Sequence, residues 1–416
     1  MKFRSIKGTK DILPGETARW QIVEQTIHRV FAIFNYREIR TPIFESTSLF
    51  SRSIGELTDI VSKEMYTFVD RSNESVTLRP EGTASTLRAY IQNNLGEQGS
   101  LMKLYYIGPM FRQERPQAGR LRQFHQFGAE ALGSTAPELD VEMMLIALRI
   151  YESLNIRSTS LLVNSVGCEK CRPQYKQLLT KELLKIKSKL SPESQARIEQ
   201  NPLRVLDSKD ETDRKLTASM PLIKDHLCKE CADHFETAQK ILKSLGISFT
   251  IDGRLVRGLD YYTKTAFEIT SKDLGSQDAL AGGGRYDLLV EELGGKPTPG
   301  TGFAAGMERM MMVLEKKGEA VEPLKPKVYL IGLDESSRSW AFVKACELRA
   351  KGIPAETDYL GRSVKAQMRD ANRQNADYVV VVGEQELKSG QAKLKNMKSG
   401  EELAVALEAL GQSLSH

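Results

Sequence analysis

Residues 101–110 and 122–130 read as two strands flanking a polar connector, 114–121, that contains Pro116 and Gly119. This pattern constrains the fold more than any other. Two strands so joined form an antiparallel hairpin with a mobile tip, and whatever sheet surrounds them must accept it. Alternate residues of a strand share a face. In the second strand Arg122, Phe124, Gln126, Gly128 and Glu130 point one way, and Gln123, His125, Phe127 and Ala129 the other. The first face thus lines up a cation, an aromatic ring, an amide, a gap and a carboxylate. A ligand combining phosphate, a flat base and a hydrogen-bonding head group would fit along it. The plainer alternative is a solvated sheet face.

The surrounding chain divides by periodicity. Trp20, Val23, Ile27, Val30, Phe31 and Phe34 recur at three-and-four spacing and predict an amphipathic helix over 18–34. Residues 36–44 follow as an extended segment that Pro42 confines to an edge or interface. Residues 137–154 are helical by pattern. The stretch 168–246 is rich in lysine and glutamate and carries a Cys-x-x-Cys pair at each end, which predicts an inserted helical module. Strand character returns at 247–270, 277–281 and 301–305, before a helix over 307–316. Pro323, Lys325 and Pro326 mark a linker. Beyond it, strand (328–333), helix (337–351), strand (355–358), helix (363–374) and strand (378–382) alternate, the signature of a small α/β domain with a largely parallel sheet. The expected organisation is an α+β domain on an antiparallel sheet over 1–325, with its helical insertion at about 168–246, and an α/β domain over 326–416.

Composition adds limits. Hydrophobic content of 40% and charged content of 27% are ordinary for a globular protein. No secretory core opens the chain and no run reaches membrane-spanning length, so cytoplasmic residence without a membrane partner is expected. A net charge of +5 permits a nucleic-acid partner without demanding one.

Four further clusters carry chemistry. In Leu78-Arg79-Pro80-Glu81-Gly82-Thr83, Glu81 can receive an ammonium group and Gly82 lets backbone approach a ligand. Leu255-Val256-Arg257-Gly258-Leu259-Asp260-Tyr261-Tyr262 sets an arginine beside glycine ahead of an aromatic strand. Strict alternation there separates Tyr262 from Arg257 and Tyr261, so convergence requires a bulge near Gly258. Ala281-Gly282-Gly283-Gly284-Arg285-Tyr286-Asp287 suggests backbone packed closely against a ligand. In Gly302-Phe303-Ala304-Ala305-Gly306-Met307-Glu308-Arg309, small residues clear one strand face. Arg309 falls in the first turn of a helix, where free N–H groups and the dipole suit polyphosphate. Each cluster alone has a blander reading as turn, bulge or tight packing. No Gly-x-x-x-x-Gly-Lys-Ser/Thr loop occurs.

Together these clusters resemble the class II aminoacyl-tRNA synthetases and, within them, the histidine enzymes. Lys7-Gly8-Thr9-Lys10-Asp11-Ile12-Leu13-Pro14, the long helix and Thr41-Pro42 look like the family's dimer-forming first motif, 111–130 like the second and 302–309 like the third. The segment 255–262 matches one peculiar to histidine enzymes, and 326–416 looks like their anticodon-binding domain. The resemblance implies activation of L-histidine by ATP with Mg²⁺, transfer to the 3′ end of tRNA(His), and a homodimer. It places Arg112 and Arg257 on the α-phosphate as the catalytic cations. Phe124 and Arg309 would enclose adenine. Glu81, Gly82, Thr83, Gln126, Arg112 and Arg257 would hold the histidine amino and carboxylate ends, and Glu130, Tyr261, Tyr262 and Tyr286 would surround the imidazole. Arg115, Gln117, Arg120 and Arg122 would meet the tRNA acceptor end. Arg362, Lys365, Arg369 and Arg373, at helical spacing, are candidates for tRNA phosphates. The rival reading is a synthetase-like histidine-binding regulatory subunit without aminoacylation activity. Such subunits lack the anticodon domain and lose active-site arginines, whereas this chain carries both.

Cys168-x-x-Cys171 and Cys228-x-x-Cys231 have the local spacing of a four-cysteine structural zinc site. The ends of an insertion must lie close together, so the pairs can meet at its base. His226 and His234 are alternative ligands, and free buried thiols the alternative to metal. Cys346, alone on a helix, is expected in the core.

Overall fold

The computed structural model describes residues 3–54, 60–208, 210–257, 261–274, 278–318 and 325–414. Gly258, where a bulge was required, and Pro323 of the linker lie outside them. The chain separates into two compact units, Met1–Ala320 and Val321–His416.

In the first unit, strands β1 (Arg37–Glu38), β2 (Phe44–Ser46), β3 (Tyr66–Val69), β4 (Ser75–Leu78), β5 (Met102–Phe111), β6 (Gln123–Leu132), β7 (Thr159–Ser165), β8 (Thr250–Ile251), β9 (Thr263–Ser271), β10 (Ala279–Arg285) and β11 (Gly300–Gly306) form two sheets. The large one has eight strands among the described residues, ordered β1-β5-β6-β11-β10-β9-β7-β8. Its central strands run antiparallel, and short β1 and β8 join the edges in parallel. The hairpin pairs from Met102↔Leu132 to Phe111↔Gln123. A separate three-stranded sheet, β2-β4-β3, has no counterpart in the sequence reading.

Period-two alternation decides which side of the large sheet is core. Phe127, Ala129 and Ala131 of β6, Phe267 and Ile269 of β9, and Phe303 and Ala305 of β11 pack against Ile27 and Phe31 of the Pro14–Ile33 helix and Ile146 and Ile150 of the Pro137–Ser153 helix. The first helix starts ahead of its apolar stripe because Pro14, whose missing N–H costs nothing there, occupies its first turn. The opposite sheet face, with Phe124 and Gln126, is left for the site.

Between β7 and β8 the chain forms helices Arg172–Leu184, Pro192–Gln200, Leu203–Leu206, Glu211–Leu216 and Lys229–Ser244. Tyr175, Leu179, Leu183, Ile198 and Val205 give this insertion its own apolar core. Residues 255–257, expected to lead into a strand, are irregular, and the strand begins only at Thr263. The alternation argument therefore does not apply to Arg257, Tyr261 and Tyr262.

The second unit contains β12 (Val328–Gly332), β13 (Ala355–Thr357), β14 (Tyr378–Val382), β15 (Gln391–Asn396) and β16 (Glu402–Ala406) in the order β13-β12-β14-β15-β16. The first three are parallel. The unforeseen β15-β16 hairpin extends the sheet antiparallel. Cys346 is exposed rather than core, because the Glu335–Ala350 helix turns Ala341, Ala345 and Leu348 inward. No helix among the described residues is long and apolar enough to cross a membrane.

One buried charge cluster ties these layers. Asp140, fully buried, receives Arg285 of β10 at 2.7 Å and His234 of the Lys229–Ser244 helix at 2.7 Å. Burial pushes the Asp140 carboxyl up, but His234 and Arg285 more than offset this and hold it below the usual range. With the folded value depressed, the stabilisation is present at neutral pH and is lost as pH falls through that value. Asp140→Ala takes one of two carboxylates from buried Arg285 and the partner from His234, and should destabilise the unit by about 3 kcal/mol. A urea midpoint unchanged from the parent protein would contradict this.

Candidate active site

A cavity of about 210 Å³ opens on the face of the large sheet away from the helices. Lining it are Glu81, Thr83, Arg112, Arg120, Phe124, Gln126, Arg257, Tyr261, Tyr262, Tyr286 and Arg309. These residues come from points across 229 positions of sequence, and the antiparallel order of β6, β11 and β10 is what gathers them.

Each arginine is anchored differently. Arg112 donates Nε to the Pro80 carbonyl at 2.9 Å, and its guanidinium lies 5.3 Å from the centre of the Phe124 ring. Arg309, in the first turn of the Met307–Lys317 helix, donates to the carbonyls of Ala279 at 2.7 Å and Gly119 at 3.3 Å. Burial, followed by the nearby charge of Arg120, lowers its pKa. Arg257 pairs with Glu268 of β9 and lies across Gly282, where any side chain would collide with the guanidinium. Its Nε has no hydrogen-bond partner among the described residues, and neither does Oε1 of buried Gln126. Two unspent polar groups facing one cavity are what a site for a polar ligand presents.

At the other end Glu81 accepts the backbone N–H groups of Thr83 at 2.6 Å and Ala84 at 2.8 Å, closing the start of the Thr83–Gln92 helix. Burial raises its pKa. Tyr261 stands 4.7 Å from Tyr262 and 5.7 Å from Tyr286, ring centre to ring centre, so three phenols make one wall.

Glu130 is not among the lining residues. Its carboxylate lies one layer behind the wall, accepting the hydroxyls of Thr83 at 2.7 Å, Tyr106 at 3.4 Å and Tyr286. Burial pushes this carboxyl up to about 8. Gly302 faces Glu130 across the β6–β11 pairing, and a side chain there would strike the carboxylate. Gly82 also lies outside the lining, against the Tyr106 ring.

The connector residues scatter. Gln117 and Arg120 bridge the hairpin tip, and Arg120 pairs with Glu114 at 3.3 Å. Arg115 and Gln117 are exposed, while Arg122 turns back to the Glu114 carbonyl and packs over Gly8. Glu268, Tyr106 and Glu308 were given no role by the sequence reading. Glu308 lines the cavity and accepts the backbone N–H of His125 at 2.8 Å and its ring Nδ1 at 3.0 Å. An acid inside a strand of Thr, Ala, Phe and Ile was the available signal for Glu268.

At the base of the insertion the four cysteines meet. Their sulfurs all lie within 4.8 Å of one another, with Cys168–Cys228 at 3.7 Å and Cys171–Cys231 at 3.9 Å. His234 is taken by Asp140, and His226 faces the Tyr175 ring, so neither belongs to the cluster.

Residues 8–310 match the family model described as Histidyl-tRNA synthetase, and residues 327–415 match that of the Anticodon binding domain. The chain is 49% identical to the histidine–tRNA ligase of Halothermothrix orenii over 99% of its own length and 98% of the relative's. It is also 49% identical to that of Desulforamulus reducens over 97% of both. The apo S. aureus histidyl-tRNA synthetase superposes with a TM-score of 0.85 at 36% identity, covering 100% of each chain. With most of its length matched by that family model and near-half identity to full-length relatives, this chain belongs to the histidyl-tRNA synthetase family.

Proposed function

We infer that this chain activates L-histidine with ATP to histidyl-adenylate and transfers the histidyl group to the 3′ end of tRNA(His). The observation that carries this is the meeting of Arg112, Arg257 and Arg309 in one cavity beside a three-tyrosine pocket. The anticodon-binding domain and the three arginines in one cavity favour this reading over a regulatory subunit without aminoacylation activity.

The histidine carboxylate is already a nucleophile, so the first step needs no base. The obstacle is its approach to a phosphate of like charge and the charge that builds on the α-phosphoryl oxygens. Arg112 and Arg257, anchored before substrate arrives, supply preorganised positive charge there. Arg309 and Phe124 take the adenine and outer phosphates. Mg²⁺, when bound, would supply further positive charge to the phosphates, and the carboxylates of Glu114 and Glu308 along the cavity are the hard oxygen donors that would hold it. Glu81, Thr83 and Gln126 hold the amino acid's charged ends, while Gly82, outside the lining, gives the Tyr106 ring room behind them. Tyr261, Tyr262 and Tyr286 enclose the imidazole, with Glu130 fixing their polarity through the Tyr286 hydroxyl. A pocket whose polar groups are left unpaired by other side chains discriminates by roughly 10⁴–10⁵ without editing. In the second step the terminal ribose hydroxyl of tRNA attacks the adenylate carbonyl, with Arg115, Gln117, Arg120 and Arg122 near the acceptor end.

The cysteine cluster fits zinc. Four sulfurs at about 2.3 Å from a tetrahedral centre stand about 3.8 Å apart; Cys168–Cys171, Cys168–Cys228 and Cys171–Cys231, at 3.9, 3.7 and 3.9 Å, are close to that, and all four sulfurs lie within 4.8 Å of one another. Zinc would cross-link the two ends of the insertion. We also propose a homodimer in the cytoplasm, supported by exposed Phe44, Phe68 and Val69 on the β2-β4-β3 sheet. In the anticodon unit Arg362 pairs with Asp358 and Asp370, and Arg373 with Asp370, which leaves Lys365 and Arg369 exposed and suited to tRNA phosphates.

Arg257→Ala should lower histidine-dependent ATP–pyrophosphate exchange by about 10²–10³-fold, and a near-normal rate would refute the assignment. Purified protein should hold about one zinc equivalent per chain by elemental analysis. The double variant Lys365→Ala/Arg369→Ala should weaken tRNA binding and flatten its dependence on salt. An unchanged slope would return both residues to an ordinary solvated face.

A further inference from the structure

The residue after the cysteine cluster's second member is Arg172, the first of the Arg172–Leu184 helix. Its side chain does not follow the helix outward. Nε donates to the carbonyl of Val166 at 3.0 Å, and Nη2 donates to the carbonyls of Gly167 at 3.1 Å and Tyr262. One guanidinium therefore holds the end of the chain leaving β7 and the backbone of a pocket tyrosine together. The Gly167 carbonyl also accepts the backbone N–H of Lys264, and Val166 N–H donates to the Lys264 carbonyl. The base of the insertion and the tyrosine segment are thus laced by backbone and side chain alike.

A second connection starts from the other cysteine pair. Glu230, between Cys228 and Cys231, pairs with Lys170 at 3.0 Å and with Lys264 at 2.9 Å. Lys264 reaches Asp287 at 3.7 Å, and the Asp287 backbone N–H donates to Thr263 Oγ1 at 3.1 Å. Asp287 adjoins Tyr286. Each cysteine pair therefore has a polar strut to one side of the tyrosine wall: Arg172 to Tyr262, and Glu230 through Lys264 and Asp287 to Tyr286.

We propose that Arg172 is a positioning residue for histidine recognition, through which the metal-bound cysteine cluster holds the Tyr261–Tyr262 side of the pocket in place. Arg172 is not among the residues lining the cavity. It fixes the backbone from which the tyrosines project, so the cluster serves amino-acid selection as well as closing the insertion. The arginines of the ATP end are anchored by other groups, at Pro80, Ala279, Gly119 and Glu268. The metal part of this inference rests on the zinc reading above, and the Arg172 part on its own hydrogen bonds.

The test is Arg172→Gln, with Arg172→Lys beside it, in pyrophosphate exchange and in calorimetric titration with histidine. Arg172→Gln should raise the histidine KM about tenfold, the effect of losing charge-assisted hydrogen bonds. The ATP KM should stay within about twofold, and zinc content should be unchanged. Arg172→Lys, which keeps the charge but cannot span three carbonyls, should fall between. Equal losses for histidine and ATP, or unchanged kinetics with only a lower melting temperature, would overturn the proposal. Removing zinc from the otherwise unaltered protein gives a second arm that needs no variant to fold. Histidine binding should weaken as zinc leaves while ATP binding holds, and histidine affinity indifferent to zinc would overturn the link to the cluster. Protein that carries no zinc as purified would end the zinc reading and its link, leaving the Arg172 variants to decide the rest.

Discussion

Positive charge that must be held still, in a partly buried place, before any anion arrives is the constraint on which the other features turn. Guanidinium groups gathered in one cavity repel one another and lose hydration, and Arg309 shows the strain in its lowered pKa. The fold answers with fixed oxygens: carbonyls of Pro80, Ala279 and Gly119, and the carboxylate of Glu268. Carbonyls orient a cation without cancelling its charge. Glu268 does cancel charge, and the Arg257 Nε, with no hydrogen-bond partner among the described residues, remains an unspent donor. Preorganisation of this kind is effective because nothing has to reorient when charge develops during reaction.

How much of this was legible follows from which physical signal each element carried. The β5-β6 hairpin and the two faces of β6 were readable because period-two alternation is a strict geometric property: Phe124 and Gln126 do face the cavity, and Phe127 and Ala129 the core. The insertion and the C-terminal parallel strands were readable from shifts in periodicity. The segment around Arg257 was misread, because aromatic composition mimics a strand while the described residues 255–257 are irregular and the strand begins at Thr263. The β15-β16 hairpin was passed over although Ala392, Leu394 and Val405 alternate inward, since the lysines between them look like a solvated tail. Cys346 was placed in the core by residue type, one position past the inward-facing Ala345.

The candidate site's residues were legible where a residue's own type announced it and illegible where meaning came from a partner. Arg112, Arg257 and Arg309 are conspicuous in any sequence. Glu268 and Glu308 matter through what they hold, and a chain read one residue at a time does not show that Gly282 lies opposite Glu268. The cysteine pairs are an intermediate case. Their spacing was plain, but their meeting depended on β7 and Lys229–Ser244 bringing both ends of a long excursion to one point.

The floor of the pocket carries a consequence for how such a protein can drift in evolution. At Gly302 a single methyl group would land on the Glu130 carboxylate, and every one-base change of a glycine codon that yields another amino acid adds at least that methyl. The same holds at Gly282 beneath Arg257. At Gly302, where the backbone oxygen of Ala129 is also in the way, a shallower cleft is therefore closed off at the first mutational step, whereas at Gly282 the added methyl acts by displacing the Arg257 guanidinium.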